Sequence, residues 1–167
     1  VRAIADDNTF VIRADGLLSY YNGTVTVELG NLGVAWSTYT PTLGTWTLGN
    51  GAATGRYIRL GSLVHFVATI TFGTTTTFTA GQPTVSLPVT AQSASGYACD
   101  IHGVLHDSGA LAYDSRCSMS STTVVQPFIK DTDGNGVVFY NAVSNTVPFT
   151  WANGDQIIIA GTYEAAV

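Results

Sequence analysis

In the stretch LVHFVATITFG, residues 63–73, every second side chain from Val64 is apolar: Val64, Phe66, Ala68, Ile70 and Phe72 fall on one face. Leu63, His65, Val67, Thr69 and Thr71 fall on the other. A repeat of two is the repeat of a β-strand, and it commits this segment to a sheet with one face on a core. TVTVELG repeats the pattern with Val25, Val27 and Leu29, and VVFYNAV and QIIIAGTYEA read as buried strands. No stretch carries a helical period. Turn signals at LGNGAATG, FGTTTTFTAGQP, DTDGNG and WANGD separate the apolar runs. The chain is therefore expected to be all-β, and so many short strands in 167 residues predict a β-sandwich or jelly-roll-like domain.

The opening residues differ. NTFVIRADGLLSYYNGTVTVELGNLG contains very short strands broken at ADG and YNG, too little to bury a core alone. Two parts are expected: a short β segment over residues 1–33, covered by the main domain or by copies of the chain, and a sandwich over residues 34–167. The chain starts at Val1 with no visible signal peptide, and is expected to be a fragment or a processed product.

Composition narrows the function classes. Charged residues make up 10% of the chain, against roughly 25% in an average soluble protein, with Lys130 the single lysine. The net charge of −5, with six Lys and Arg scattered along the sequence, offers no basic patch for nucleic acid. No apolar run is long enough to span a membrane as a helix. So few charges on so apolar a chain predict that some surface is buried between copies of itself.

One hairpin can be paired in detail. YACDIHGVLHDSGALAYDSRCSM is nearly symmetric about Ser108. A turn there sets Asp100 opposite Arg116, His102 opposite Asp114 and Val104 opposite Ala112 on one face, and Cys99 opposite Cys117, Ile101 opposite Ser115 and Leu105 opposite Leu111 on the other. Cys99 and Cys117 would then be within disulfide reach, with two buried thiols as the alternative. His102 and His106 have a spacing that suits a metal on a helix, but on a strand they stand roughly 13 Å apart. Ser108 has no nucleophile elbow around it, and Glu28 and Glu164 are the only glutamates, so no motif nominates an enzyme.

DTDGNG, residues 131–136, opens like an EF-hand loop, with Asp131, Asp133 and Asn135 at the ligand positions. The twelfth position is Ala142, where a bidentate Glu is needed, and the flanks VVQPFIK and VVFYNAV read as strands. The expectation is a hairpin end with no cofactor; a loop-end Ca²⁺ held by these three residues is the alternative. Trp36, Trp46, Tyr57, Tyr97, Tyr113 and Trp151 lie near turns or strand ends, where rings can stack on sugars or serve as core and subunit contacts.

The stretch WSTYTPTLGTWTLGNGAATGRYIRLGSLVHFVATITFG, followed by PTVSLPVTA, resembles the carboxy-terminal domain of tail fibre and minor tail proteins of phages that infect actinobacteria. The shared features are W-x(n)-P-x-L, W-x-L-G-N-G, G-R-Y-x-R-x-G, V-x-F-x-x-x-I-x-F-G and S-L-P-V; VPFTWANGDQIIIAGTYEA resembles how such domains close, and NTFVIRADGLLSYYNGTVTV is similar to fibre-shaft repeats. The resemblance does not reach the hairpin of residues 97–119. It implies a virion protein at the phage tail tip, a homotrimer with a shaft segment and a head domain, and attachment to the host cell surface, a cell-wall polysaccharide or related polymer. It implies no catalytic residue. The expected receptor-binding residues are Tyr97, His102, His106, Asp107, Tyr113 and Asp114 of the hairpin, with Trp46 and Trp151 beside them. A purely structural tip or trimerisation domain, and an accessory carbohydrate-binding module of an enzyme, are the alternatives.

Overall fold

The structure, a computed structural model, describes residues 9–12, 18–21, 26–28, 35–94, 100–132 and 134–166. The chain forms two compact units, Val1–Ala35 and Trp36–Val167. In the first, β1 (Thr9–Ile12), β2 (Leu18–Tyr21) and β3 (Thr26–Glu28) make an antiparallel three-stranded sheet in that order.

The larger unit contains β4 (Ser37–Tyr39), β5 (Leu43–Gly44), β6 (Ala52–Leu60), β7 (Leu63–Thr71), β8 (Thr84–Ser86), β9 (Asp100–His106), β10 (Ala112–Met119), β11 (Val124–Thr132), β12 (Val138–Ala142) and β13 (Gln156–Glu164). The chain is all-β, with no helix among the described residues. The ten strands join in one antiparallel path, β4-β6-β7-β13-β9-β10-β11-β8-β5, with β12 also on β11. This single sheet curls round one core.

The alternation read in β7 is the one the fold uses: Val64, Phe66, Ala68, Ile70 and, just beyond the strand, Phe72 are buried. β13 lies against β7 on one side and β9 on the other, with Ile157, Ile159 and Tyr163 turned to the same core. Gly161 shares that inward face, between Phe66 and Ile101. A Cβ on it would lie 2.5 Å from the Asp100 carbonyl oxygen, so the close approach of β9 to β13 requires glycine there. The Tyr163 hydroxyl donates to the Val89 carbonyl at 2.7 Å and accepts from the Val89 N–H at 3.1 Å, which fixes the loop after β8 to the central strand.

Pro127 sits inside β11, where a ladder donor would be missing. β8 pairs Val124 and Val125, and β12 pairs from Phe128 onward, so Pro127 falls in the gap between two neighbours on one side of β11. Its carbonyl there accepts from Gln82 Nε2 at 2.7 Å.

β12 departs from the sequence expectation. VVFYNAV reads as a buried strand, but Val137, Val138, Phe139 and Tyr140 are all exposed. Among the described residues β12 pairs with β11 alone, and it lies beside the end of β11 where Lys130, Asp131 and Thr132 are exposed too. Apolar composition cannot distinguish such a ribbon from a strand inside the sheet. The loop between them joins two antiparallel strands, as expected for a hairpin end and unlike an EF-hand, and Gly136 adopts φ 82° in it.

Asp155 is almost wholly buried and holds two loops together. One carboxylate oxygen accepts from the Ser108 N–H at 2.8 Å and the other from the Ala152 N–H at 2.6 Å. Removing the acceptor leaves both amides without it in a desolvated place. Asp155→Ala is expected to lower stability by about 3 kcal/mol, read as a shift of the urea midpoint; a change within error would show that water replaces the carboxylate freely.

Candidate functional site

The hairpin of β9 and β10 has a different register from the expected one. Ala112 pairs with His106, Asp114 with Val104, and Arg116 with His102. Each partner is two residues away from the symmetric pairing about Ser108. The turn explains the difference: the Ala110 N–H donates to the Asp107 carbonyl at 3.1 Å, the Asp107 N–H to the Leu111 carbonyl at 2.9 Å, and Gly109 takes φ 93°. The centre is therefore Gly109, the residue able to adopt a left-handed conformation without cost. A shift of two keeps every side chain on its expected face. It does change partners: His102 is hydrogen-bonded to Asp100 of its own strand at 2.6 Å, not to Asp114, and Arg116 faces His102, not Asp100.

Continued by one step, this register sets Ile101 opposite Cys117. Cys117 is a buried free thiol, and Cys99 lies outside the described residues. Burial pushes the Cys117 thiol up to about 12.

Two candidate aromatics belong to the core. Trp46 is 2% exposed and Trp151 5% exposed, with their centroids 5.4 Å apart and Phe72 edge-on to Trp151 at 5.3 Å. The Trp46 Nε1–H reaches the carbonyls of Thr79 and Gly81, and that of Trp151 the carbonyl of Ser144. Neither ring offers a face to a ligand, which corrects their expected receptor-binding role. Tyr113 also turns inward, 5.4 Å from Phe149 and packed against the core cluster. Asp107 begins the hairpin turn, and His106 is half-buried on the outward face of β9, with its Nδ1 making no hydrogen bond among the described residues. Tyr97 and Asp133 lie outside the described residues. Asp131 accepts from the Thr132 N–H at 2.8 Å and Asn135 is exposed in the hairpin loop; among the described residues no three His, Cys, Asp or Glu side chains gather to hold a metal.

His102 and Asp114 do come together. They line a groove of about 480 Å³ on the side of the sheet opposite the core, with Val104, Arg116, Lys130, Tyr140, Ile158 and Ala160. The registers explain why. Ala160, His102 and Arg116 form one cross-strand row; Ile158, Val104 and Asp114 form the next, and Lys130 follows one step beyond the Ser115–Ile129 pair, with Tyr140 opposite it. The floor is apolar (Ile158, Ala160, Val104), the Arg116 guanidinium lies 5.8 Å from the Tyr140 ring centroid, and one carboxylate stands among cations. Sequence reasoning missed Arg116, Lys130, Tyr140, Ile158 and Ala160 because the groove gathers five strands, β9 to β13. The available signal was the outward half of each alternation.

A second cavity of about 350 Å³ lies on the same side of the sheet, between Thr38, Thr54, Gly55, Arg56, Val67 and Thr69. Beside it Trp36, 41% exposed, lies 4.6 Å from the Arg56 guanidinium and edge-on to His65 at 5.7 Å.

No protein-family model, curated protein or solved structure matches this chain.

The buried thiol gives a pH-dependent prediction. An unfolded cysteine ionises near pH 8.5, whereas folded Cys117 keeps its proton to about 12. Unfolding in that window releases a proton, so this contribution to stability is complete below about pH 8.5 and is lost as the pH rises toward about 12. Urea midpoints measured from neutral to alkaline pH should fall less steeply for Cys117→Ala than for the parent chain. Iodoacetamide at mildly alkaline pH should label Cys117 only after unfolding; rapid labelling of the native chain would contradict the burial.

Proposed function

We propose that the larger unit is the receptor-binding head of a phage tail fibre or minor tail protein, which attaches the virion, as a homotrimer, to a polysaccharide of the host cell surface. The groove carries this reading. It combines an apolar floor, an aromatic wall and a few convergent polar side chains on a rigid sheet, the arrangement that suits a small ring bearing hydroxyls. The resemblance of the sequence motifs to those of tail-tip proteins supplies the setting. His102, Asp114, Arg116 and Tyr140 are the contact residues in this reading; Tyr113, Trp46 and Trp151 are not, because they face the core.

A purely structural role at the fibre tip is the second reading. The exposed run of Val137, Val138, Phe139 and Tyr140 favours it, since so apolar a surface is usually covered in an assembly.

Adsorption of the purified chain to whole cells and isolated walls of candidate hosts separates the two. Alanine at His102, Asp114, Arg116 or Tyr140 should weaken adsorption about tenfold for the strongest contact, with an unchanged melting temperature. A folded chain that adsorbs to no wall would leave the structural role. Sedimentation should give about three times the 17.5 kDa chain mass, and a monomer would remove the trimer from the proposal.

A further inference from the structure

The two cavities on the side away from the core adjoin one another. Val67 and Thr69 of the smaller cavity are the direct cross-strand neighbours of Ala160 and Ile158 in the groove. The registers therefore lay out two continuous rows. One runs Thr38, Arg56, Val67, Ala160, His102, Arg116, Phe128. The other runs Thr54, Thr69, Ile158, Val104, Asp114 and then, one step beyond the last β10–β11 pair, Lys130 and Tyr140, which line the same groove as Asp114. None of these side chains is buried. From β6 to β12 the rows cross seven strands, about 29 Å of contour at the usual strand spacing. An exposed aromatic ring stands at each end, Trp36 beside Arg56 and Tyr140 beside Arg116.

The charge along this track opposes that of the chain. The whole protein carries −5, and the larger unit has four Lys and Arg side chains, Arg56, Arg59, Arg116 and Lys130. Three of them stand in the two rows, and Asp114 is the one acid there; Asp100, one step along β9, is hydrogen-bonded to His102. Arg59 is turned away, bound to the carbonyls of Gly61 and Ala166. Among the described residues, neither Arg56 nor Lys130 forms an ion pair. A track of cations, threonine hydroxyls and half-buried aliphatic side chains, ended by rings, is complementary to a chain and not to a single terminal sugar.

We infer that the receptor is a linear polyanion of hydroxyl-rich repeat units, bearing phosphate or carboxylate groups, that lies across the strands from Trp36 to Tyr140. The inference rests on the polysaccharide-binding reading and specifies it. Engagement at both cavities makes the second contact intramolecular once the first has formed, so affinity depends on ligand length.

The test immobilises the full chain and measures binding of poly(glycerol phosphate), polygalacturonate, neutral dextran and single-stranded oligo-dT of comparable length, with short fragments of the two anionic polysaccharides. Long poly(glycerol phosphate) or polygalacturonate should bind at least about tenfold tighter than its own short fragments, and the preferred one identifies phosphate or carboxylate. Binding should weaken with added salt, as exposed charge pairs do. Arg56→Ala should reduce binding of the long polymer several-fold and leave the short fragments unchanged, because those fill only the larger groove; Lys130→Ala should weaken both. Dextran bound as tightly as the polyanions, no length dependence, or no effect of Arg56→Ala would overturn the inference. Oligo-dT bound equally well would overturn it too, by reducing the track to unspecific attraction. Cell adsorption that persists without binding to either polyanion refutes this inference alone, whereas loss of both refutes the receptor-binding reading as well.

Discussion

The larger unit depends on β13. It is hydrogen-bonded along its whole length to β7 and to β9 along most of it, and it unites a hairpin from the first half of the unit with a hairpin from the second. Ile157, Ile159 and Tyr163 supply its share of the core, and Gly161 makes room for β9. On its other side Ile158 and Ala160 join the two cavities into one track. The strand that closes the core is thus also the middle of the candidate binding surface. A shift of β13 by one residue would expose the isoleucines and bury the track at once.

Much of this was legible in the sequence. The alternation from Val64 to Phe72 fixed the strand, its faces and the all-β class, because a period of two has one structural meaning. The β9–β10 hairpin was legible as a hairpin with the right faces, but not in its partners. A two-residue shift leaves the pattern of faces unchanged, so the pattern is silent on it. The choice was made by Gly109 and its left-handed φ, a single residue against the apparent symmetry about Ser108. The cross-strand partners drawn from that symmetry therefore changed, and His102 is hydrogen-bonded to Asp100 of its own strand.

The rest was not legible, for a different physical reason. Trp46 and Trp151 sit beside turn-forming residues, where aromatic rings are found both in binding sites and in cores. They are core here because two loops distant in sequence close over Phe72. VVFYNAV has the composition of a buried strand, and the exposure of Val137 to Tyr140 follows from β12 having, among the described residues, a neighbour on one side only. The groove needs Lys130, Tyr140 and Ile158 next to His102, and only the order of strands in the sheet brings them together. Residues that alternate outward line the candidate site, and alternation alone does not say which of them meet there.

Strand order also bears on how the protein is made. β7 and β9 are synthesised well before the strand that separates them, and every other strand of the sheet precedes β13. During translation both leave their facing edges open, and the inward sides of two hairpins lack the isoleucines that cover them. Closure waits for the ribosome to deliver residues 156–164. A product cut short before that point would carry two unsatisfied edges and an open core, features that chaperones and proteases recognise. The order of synthesis thus makes β13 the strand on which the covering of both hairpins' inner faces waits.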